Sequence, residues 1–246
     1  RFVYQELLLL QLGLGLRRER QRQKAAAPPL PATTRIDARI RRLFPFSLTS
    51  DQKQAILAIS NDMGKPVPMA RLLQGEVGSG KTVVAQYAML LAVAHGYQAV
   101  LMAPTEVLAR QHARNLFGNL RSSRVRTALL VGTLTASERK RVRAQLEAGE
   151  IDLIIGTQAI VHEEMAFKNL GLVVIDEQHR FGVMQRAVLK QGDRDPHYLV
   201  MTATPIPRTV ALAMYGDLDV SSLRELPPGR QPIKTYWIGE SRRERW

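Results

Sequence analysis

Short, continuous apolar runs separated by longer amphipathic stretches organise the chain from residue 37 onward. The runs are Ala70–Leu73, Ala99–Ala103, Thr127–Val131, Leu153–Ile155, Leu172–Ile175 and Tyr198–Met201, each followed by a polar or glycine-containing turn. Continuous rather than alternating hydrophobicity marks strands covered on both faces, and helical stretches between such strands act as crossovers between parallel neighbours. The pattern therefore predicts an α/β domain with a mostly parallel sheet flanked by helices. Two further helical stretches, near Asp37–Leu43 and Asp51–Asp62, precede the first strand. Upstream, Phe2–Lys24 reads as a helix that is apolar first and basic afterwards, weakened by Gly13 and Gly15. The stretch "AAAPPLPATT" then breaks any helix with three prolines. The expected organisation is a connector helix over 1–24, a Pro-rich linker over 25–36, a main domain over 37–225 and a linker beginning at 226–246. In open parallel sheets ligands sit beyond the carboxyl ends of the strands, so the turns after the runs are where chemistry is sought.

Charge narrows the choice of partner. The 246 residues carry 35 Lys and Arg against 22 Asp and Glu, a net +13, which favours a polyanion: nucleic acid or an anionic membrane surface. About half of that excess lies between Arg1 and Phe44, with ten basic and three acidic residues. The apolar stretch "LLLLQLGLGL" is too short to span a bilayer, which takes about 20 residues, and its basic cluster follows rather than precedes it, unlike a secretory signal. With no cysteine there is no disulfide framework or thiolate metal site, and the five histidines have no metal-ligand spacing. The absence of an initiator Met and the charged ending "SRRERW" suggest a piece of a longer protein.

Two motifs carry chemistry. "GEVGSGKT" satisfies the G-x-x-x-x-G-K-[ST] pattern directly after the first strand and before the apolar helix "VVAQYAMLLAV". In such a loop the backbone of Gly75, Glu76, Val77, Gly78, Ser79 and Gly80 wraps phosphates. Lys81 reaches the outer ones and the Thr82 hydroxyl holds Mg²⁺. The second motif ends the run Leu172–Ile175 with Asp176 and Glu177. Adjacent carboxylates at a strand end repel one another unless a cation or a proton transfer uses them. Beside a phosphate-binding strand they supply what a nucleoside triphosphate needs: Asp176 on the Mg²⁺, and Glu177 to orient and deprotonate the attacking water. ATP and Mg²⁺ are thus the expected cofactors. Taken alone, the acidic pair could equally be a solvated strand end.

In order along the chain, "GEVGSGKT", "APTEVLARQH" (Ala103–His112), "DEQH" and "MTATPIPRT" (Met201–Thr209) resemble motifs I, Ia, II and III of superfamily 2 helicases. Within that superfamily, "NLGLVVIDE", "DEQHRFGVMQR", "YGDLDVSSLRELPPGRQPI" and "ELLLLQLGLGLRRER" resemble the RecG family of bacterial branched-DNA helicases over nearly the whole chain. Small departures are Glu76 for a usual Asp, Gln158 for a usual His, and "LLVGT" for a usual "LTG". The transcription-repair coupling factors share "RFGV" and "TATPIPRT" but have a second glutamate where Gln178 stands. The primosomal helicase lacks the "YGDLDVSSLRELPPGR" run.

The resemblance implies the first RecA-like, DEAD/DEAH-like motor domain of an ATP-hydrolysing enzyme that acts on branched duplex DNA, forks and Holliday junctions in recombination, repair and fork rescue. It implies a bacterial, cytoplasmic, nucleoid-associated monomer with no membrane role. Residue by residue, it implies that Gln52 reads the adenine edge. Gln178 and His179 would report the γ-phosphate state to Thr202, Ala203 and Thr204. Pro104, Thr105, Glu106, Arg110, Gly132, Thr133 and Thr157 would face DNA, with Arg180 and Arg208 as further candidates. It also places an activating arginine in a second motor domain, so this chain by itself is expected to hydrolyse ATP very slowly. Readings of other classes stay open at this point: a coupling-factor-like translocase motor, a P-loop nucleotide switch indifferent to DNA, or a non-hydrolysing scaffold with a vestigial site.

Overall fold

The computed structural model describes residues 26–157, 160, 165–176, 194–203 and 218–227, with scattered positions before residue 16. Seven strands form one sheet: β1 (Ala70–Gly75), β2 (Gln98–Met102), β3 (Thr127–Leu130), β4 (Leu153–Gly156), β5 (Leu170–Asp176), β6 (His197–Thr202) and β7 (Asp219–Leu223). Their order is β3-β4-β2-β5-β6-β1-β7, and every pairing is parallel. Five helices are described: α1 (Thr34–Arg41), α2 (Ser50–Met63), α3 (Lys81–Ala94), α4 (Glu106–Leu120) and α5 (Ala136–Ala148).

The expected sheet follows from its two-sided core. Successive residues of one strand fall into different apolar clusters. Leu73, Leu101, Val174 and Leu199 pack with α1 to α4, while Leu72, Val100, Val173 and Val200 pack on the opposite face with Leu146 and Ile154. All eight strand residues are fully buried, as continuous apolar runs require. The helices begin where the sequence offers caps. Thr49 and Gln52 form a reciprocal capping box on α2, and Thr135 and Glu138 form one on α5.

Two features differ from the sequence expectation. The strand β7, "DVSSL", is absent from the predicted runs because it is polar. It lies at the sheet edge, where the Ser221 and Ser222 hydroxyls accept from Arg71 (2.8 Å) and Gln74 (2.7 Å) of β1. Pairing polar groups across two strands replaces the apolar signal. The Pro-rich stretch is packed against the domain, and its last residues, from Thr34, are helical. Leu30 is fully buried and its N–H donates to Met63 O at 2.7 Å, while Ala27 donates to Pro66 O. His197 Nδ1 accepts from the Met69 N–H at 3.0 Å and its Nε2 donates to Pro28 O at 2.8 Å. Helix α1 accordingly starts at Thr34, capped by Thr33, earlier than Asp37. Most of the expected connector helix and residues 228–246 lie outside the described residues.

Candidate functional site

The loop after β1 turns on two glycines that only a residue without a side chain tolerates comfortably. Gly78 and Gly80 have φ of 85° and 86°, in the left-handed region. A Cβ on Gly80 would lie 2.2 Å from Gln52 Nε2, and one on Gly75 would lie 2.6 Å from Ser79 Oγ and 2.9 Å from Leu223 O. The loop is therefore wedged between β7 and α2 with no room for bulk. Lys81 opens α3 and folds back, its Nζ donating to Gly75 O at 2.6 Å and Glu76 O at 3.1 Å. Ser79 Oγ is fully buried, and among the described residues it has no hydrogen-bond partner.

Gln52 contributes structure as well as position. Its Nε2 donates to Ser79 O at 2.9 Å and its Oε1 accepts from Thr49 N at 3.0 Å. In this arrangement both halves of the amide hold the loop and the start of α2 together. Beside it lies a cavity of about 740 Å³ lined by Phe46, Gln52, Thr82, Val83, Gln86 and Asn119, among others. Gln86 is buried; its Oε1 accepts from Asn119 Nδ2 at 3.3 Å, and its Nε2 is without a partner among the described residues. Phe46, Gln86 and Asn119 were not legible as site residues, since one aromatic and two amides at wide spacing make no motif.

Asp176 does end an apolar strand, but its strand does not lie beside the loop strand. β6 intervenes, pairing Thr202 with Gln74 of β1 and Met201 with Asp176 of β5. At about 4.8 Å per strand, Asp176 and the loop strand are about 10 Å apart. That gap leaves room for phosphate and a cation, with buried Thr202 and then Ala203 at the strand end between them. Asp176 Oδ2 accepts from His112 Nε2 at 2.6 Å, and both side chains are nearly buried. His112, in α4, escaped the sequence reading. Glu177, Gln178, His179, Arg180, Thr204 and Arg208, together with Gln158, lie outside the described residues.

The residues expected to face DNA gather on the other half of the same rim. Adjacent strands β2, β4 and β3 end at Pro104–Glu106, Thr157 and Gly132–Thr133 respectively. Thr105 caps α4, accepting from Leu108 N. Glu106 Oε1 accepts from Arg110 (Nη2, 2.8 Å) and from Thr133 Oγ1 (2.7 Å), and Arg110 Nη2 also donates to Thr133 Oγ1 at 2.6 Å. The Thr133 hydroxyl, then the Arg110 guanidinium, hold the Glu106 carboxyl below its usual range. Thr157, directly after the intervening strand β4, is half-buried.

A reciprocal clasp joins the chain after β7 to α2. Asp51 Oδ2 accepts from the N–H groups of Arg224 (2.7 Å) and Glu225 (2.8 Å), while Glu225 Oε2 accepts from Ser50 N at 2.8 Å. Those two backbone donors, Glu225 first, keep the Asp51 carboxyl below its ordinary value.

The donor set suits nucleotide and Mg²⁺. Loop N–H groups and an ammonium match phosphates, and the Thr82 hydroxyl and Asp176 carboxylate are hard oxygen ligands. The described residues contain no cluster of three or more His, Cys, Asp or Glu that could cage a metal.

A glycine-wrapped phosphate loop and a strand-end aspartate on one rim of a parallel, doubly covered sheet define a RecA-like P-loop NTPase domain. The chain belongs to the DEAD/DEAH box helicase family, which matches residues 49–213. It is 54% identical over 196 residues to the ATP-dependent DNA helicase RecG of Synechocystis, covering 80% of this chain and 24% of that protein. It is 47% identical over 246 residues to that of Aquifex aeolicus, covering 99% of this chain and 31% of that protein. The solved structure of RecG bound to a three-way DNA junction superposes with a TM-score of 0.84 at 44% identity, covering 98% of this chain and 32% of that one. The helicase MrfA bound to DNA, at 19% identity and a TM-score of 0.60, shares the fold over 82% of this chain and 31% of its own. The chain thus spans a quarter to a third of the length of these curated relatives.

Proposed function

We propose that this chain is the first motor domain of an ATP-dependent, RecG-type DNA helicase that remodels branched DNA. The observation that carries the proposal is the division of one rim. The phosphate loop, Thr202 and Asp176 occupy the β5-β6-β1 half, and the expected strand-contact residues occupy the β3-β4-β2 half. A motor must couple these two tasks, and a single rigid sheet holds them side by side.

In this reading the loop N–H groups and Lys81 bind the phosphates, and the cavity beside Gln52 and Phe46 takes the base. Thr82 and Asp176 would hold Mg²⁺, which would supply charge neutralisation at the phosphoryl group. Glu177 orients and deprotonates water, and Gln178 and His179 pass the phosphate state to Thr202, Ala203 and Thr204. Pro104, Thr105, Glu106, Arg110, Gly132, Thr133 and Thr157 grip phosphates without reading sequence. We infer a monomer that works in the bacterial cytoplasm at the nucleoid. Among the described residues no helix is long and apolar enough to cross a membrane.

Calorimetry with ADP and Mg²⁺ tests the central point. Lys81→Ala should weaken binding about 10- to 100-fold, the value of one or two charge-assisted hydrogen bonds. Unchanged affinity would remove the phosphate-loop assignment.

A further inference from the structure

We propose that His112 is a positioning residue that fixes Asp176 for its cation. The inference rests on the nucleotide and Mg²⁺ reading above and deepens it. The contact joins two elements with different expected duties. Asp176 ends β5, and His112 lies in the second turn of α4, the helix that opens with Thr105 and Glu106.

At about 100° per residue, His112 points about 160° away from Arg110 around α4. Arg110 and Glu106 meet Thr133 on the exposed side, while His112, 9% exposed, turns inward. Its Nε2 stands 2.6 Å from Asp176 Oδ2. At a carboxylate the imidazole N–H donates, which ties down one oxygen and leaves Oδ1 for a cation or its hydration water. An aspartate at a strand end otherwise rotates about two side-chain torsions. A nearly buried donor at this distance selects one orientation before any ligand arrives.

A histidine is not needed there for packing alone. The neighbouring inward positions of α4 are Ala109, Ala113 and Leu116, all apolar and buried. A polar ring among them is costly to bury unless its hydrogen bond is made, and the partner it meets is the carboxylate that the phosphate chemistry needs. Groups that hold a metal's carboxylate by hydrogen bonds typically contribute 10- to 100-fold in metal affinity or activity.

The test uses the full-length protein with Mn²⁺ as a paramagnetic substitute for Mg²⁺. Free Mn²⁺ is followed by electron paramagnetic resonance in the presence of ADP, with folding checked by circular dichroism. His112→Leu keeps an apolar, helix-compatible side chain but has no donor, so Mn²⁺ half-saturation should rise at least tenfold. His112→Gln, whose amide N–H can reach the same oxygen, should restore it to within about threefold of wild type. If His112→Leu does not fold, His112→Asn, with an amide one bond too short, takes its place with the same expectation. A folded variant that lowers the melting temperature but leaves Mn²⁺ half-saturation unchanged would overturn the proposal and make His112 a core residue only. Failure of the wild-type protein to bind Mn²⁺ with ADP would instead overturn the nucleotide reading.

Discussion

Gly80 shows how one residue can set a site. Its φ of 86° suits glycine, and the space a side chain would occupy is filled by the Gln52 amide. Gly80→Ala should therefore cost about 1–3 kcal/mol from backbone strain, and should also push Gln52 off the Ser79 carbonyl. Chemical denaturation and ADP calorimetry on the same sample should both register the change. His197 makes a second single-residue prediction. Burial holds its pKa below the ordinary 6.5, outweighing the opposing pull of the Pro28 carbonyl and Asp62. Its contribution to stability is full above about pH 6.5 and is lost as the pH falls below that value towards the lowered native pKa, because the unfolded chain takes up the proton first. Melting curves across that interval should show a slope that His197→Gln lacks.

Among the elements, the apolar strands were plain in the sequence and the edge strand was not. Leu172–Ile175 is covered on both faces and could only read as a strand. Asp219–Leu223 satisfies its polar side chains on β1, so its signal lies in a partner far away in the chain. The same difficulty hid the clasp. Nothing local to Asp51 or Glu225 shows that each caps the other's backbone, across more than 170 residues. Glu225 supplies the N-terminus of α2 with a carboxylate, where the helix dipole favours negative charge. Asp51→Ala should release the N–H groups of Arg224 and Glu225. Amide hydrogen exchange should then speed up at those two positions while the core of β1 stays protected.

For the molecule as a whole, the motifs pointed to the strand-end rim where the residues of the proposed site lie, and to membership of the DEAD/DEAH box helicase family. They did not reveal that β6 separates Asp176 from the loop strand, because strand order is a property of the assembled sheet. The net charge of +13 and the residues around Thr105 and Arg110 expected to face DNA predict weak, sequence-independent affinity for DNA that drops steeply with salt, since each phosphate contact releases counterions. Arg110→Ala should weaken binding equally on unrelated sequences and reduce the log–log salt slope by about one, measured by fluorescence anisotropy. A strong sequence preference would contradict that assignment.

The packed stretch around Pro28 and the clasp at Glu225 sit at opposite rims of the sheet. The first is fastened where β1 and β6 begin, the second where β7 ends, beside the cavity that Gln52 and Pro227 help to line. Six residues of parallel strand separate those rims by about 20 Å. The stretch from Ala27 to Leu30 is thus tied both to the start of β6, through His197, and to the end of α2 and the turn after it, through Met63 and Pro66. The segment after Leu223, by contrast, leaves at the carboxyl ends of the strands and is anchored to α2, whose Gln52 holds the loop after β1. The sheet is in effect a short beam fastened at both ends, with β6 one strand away from its centre.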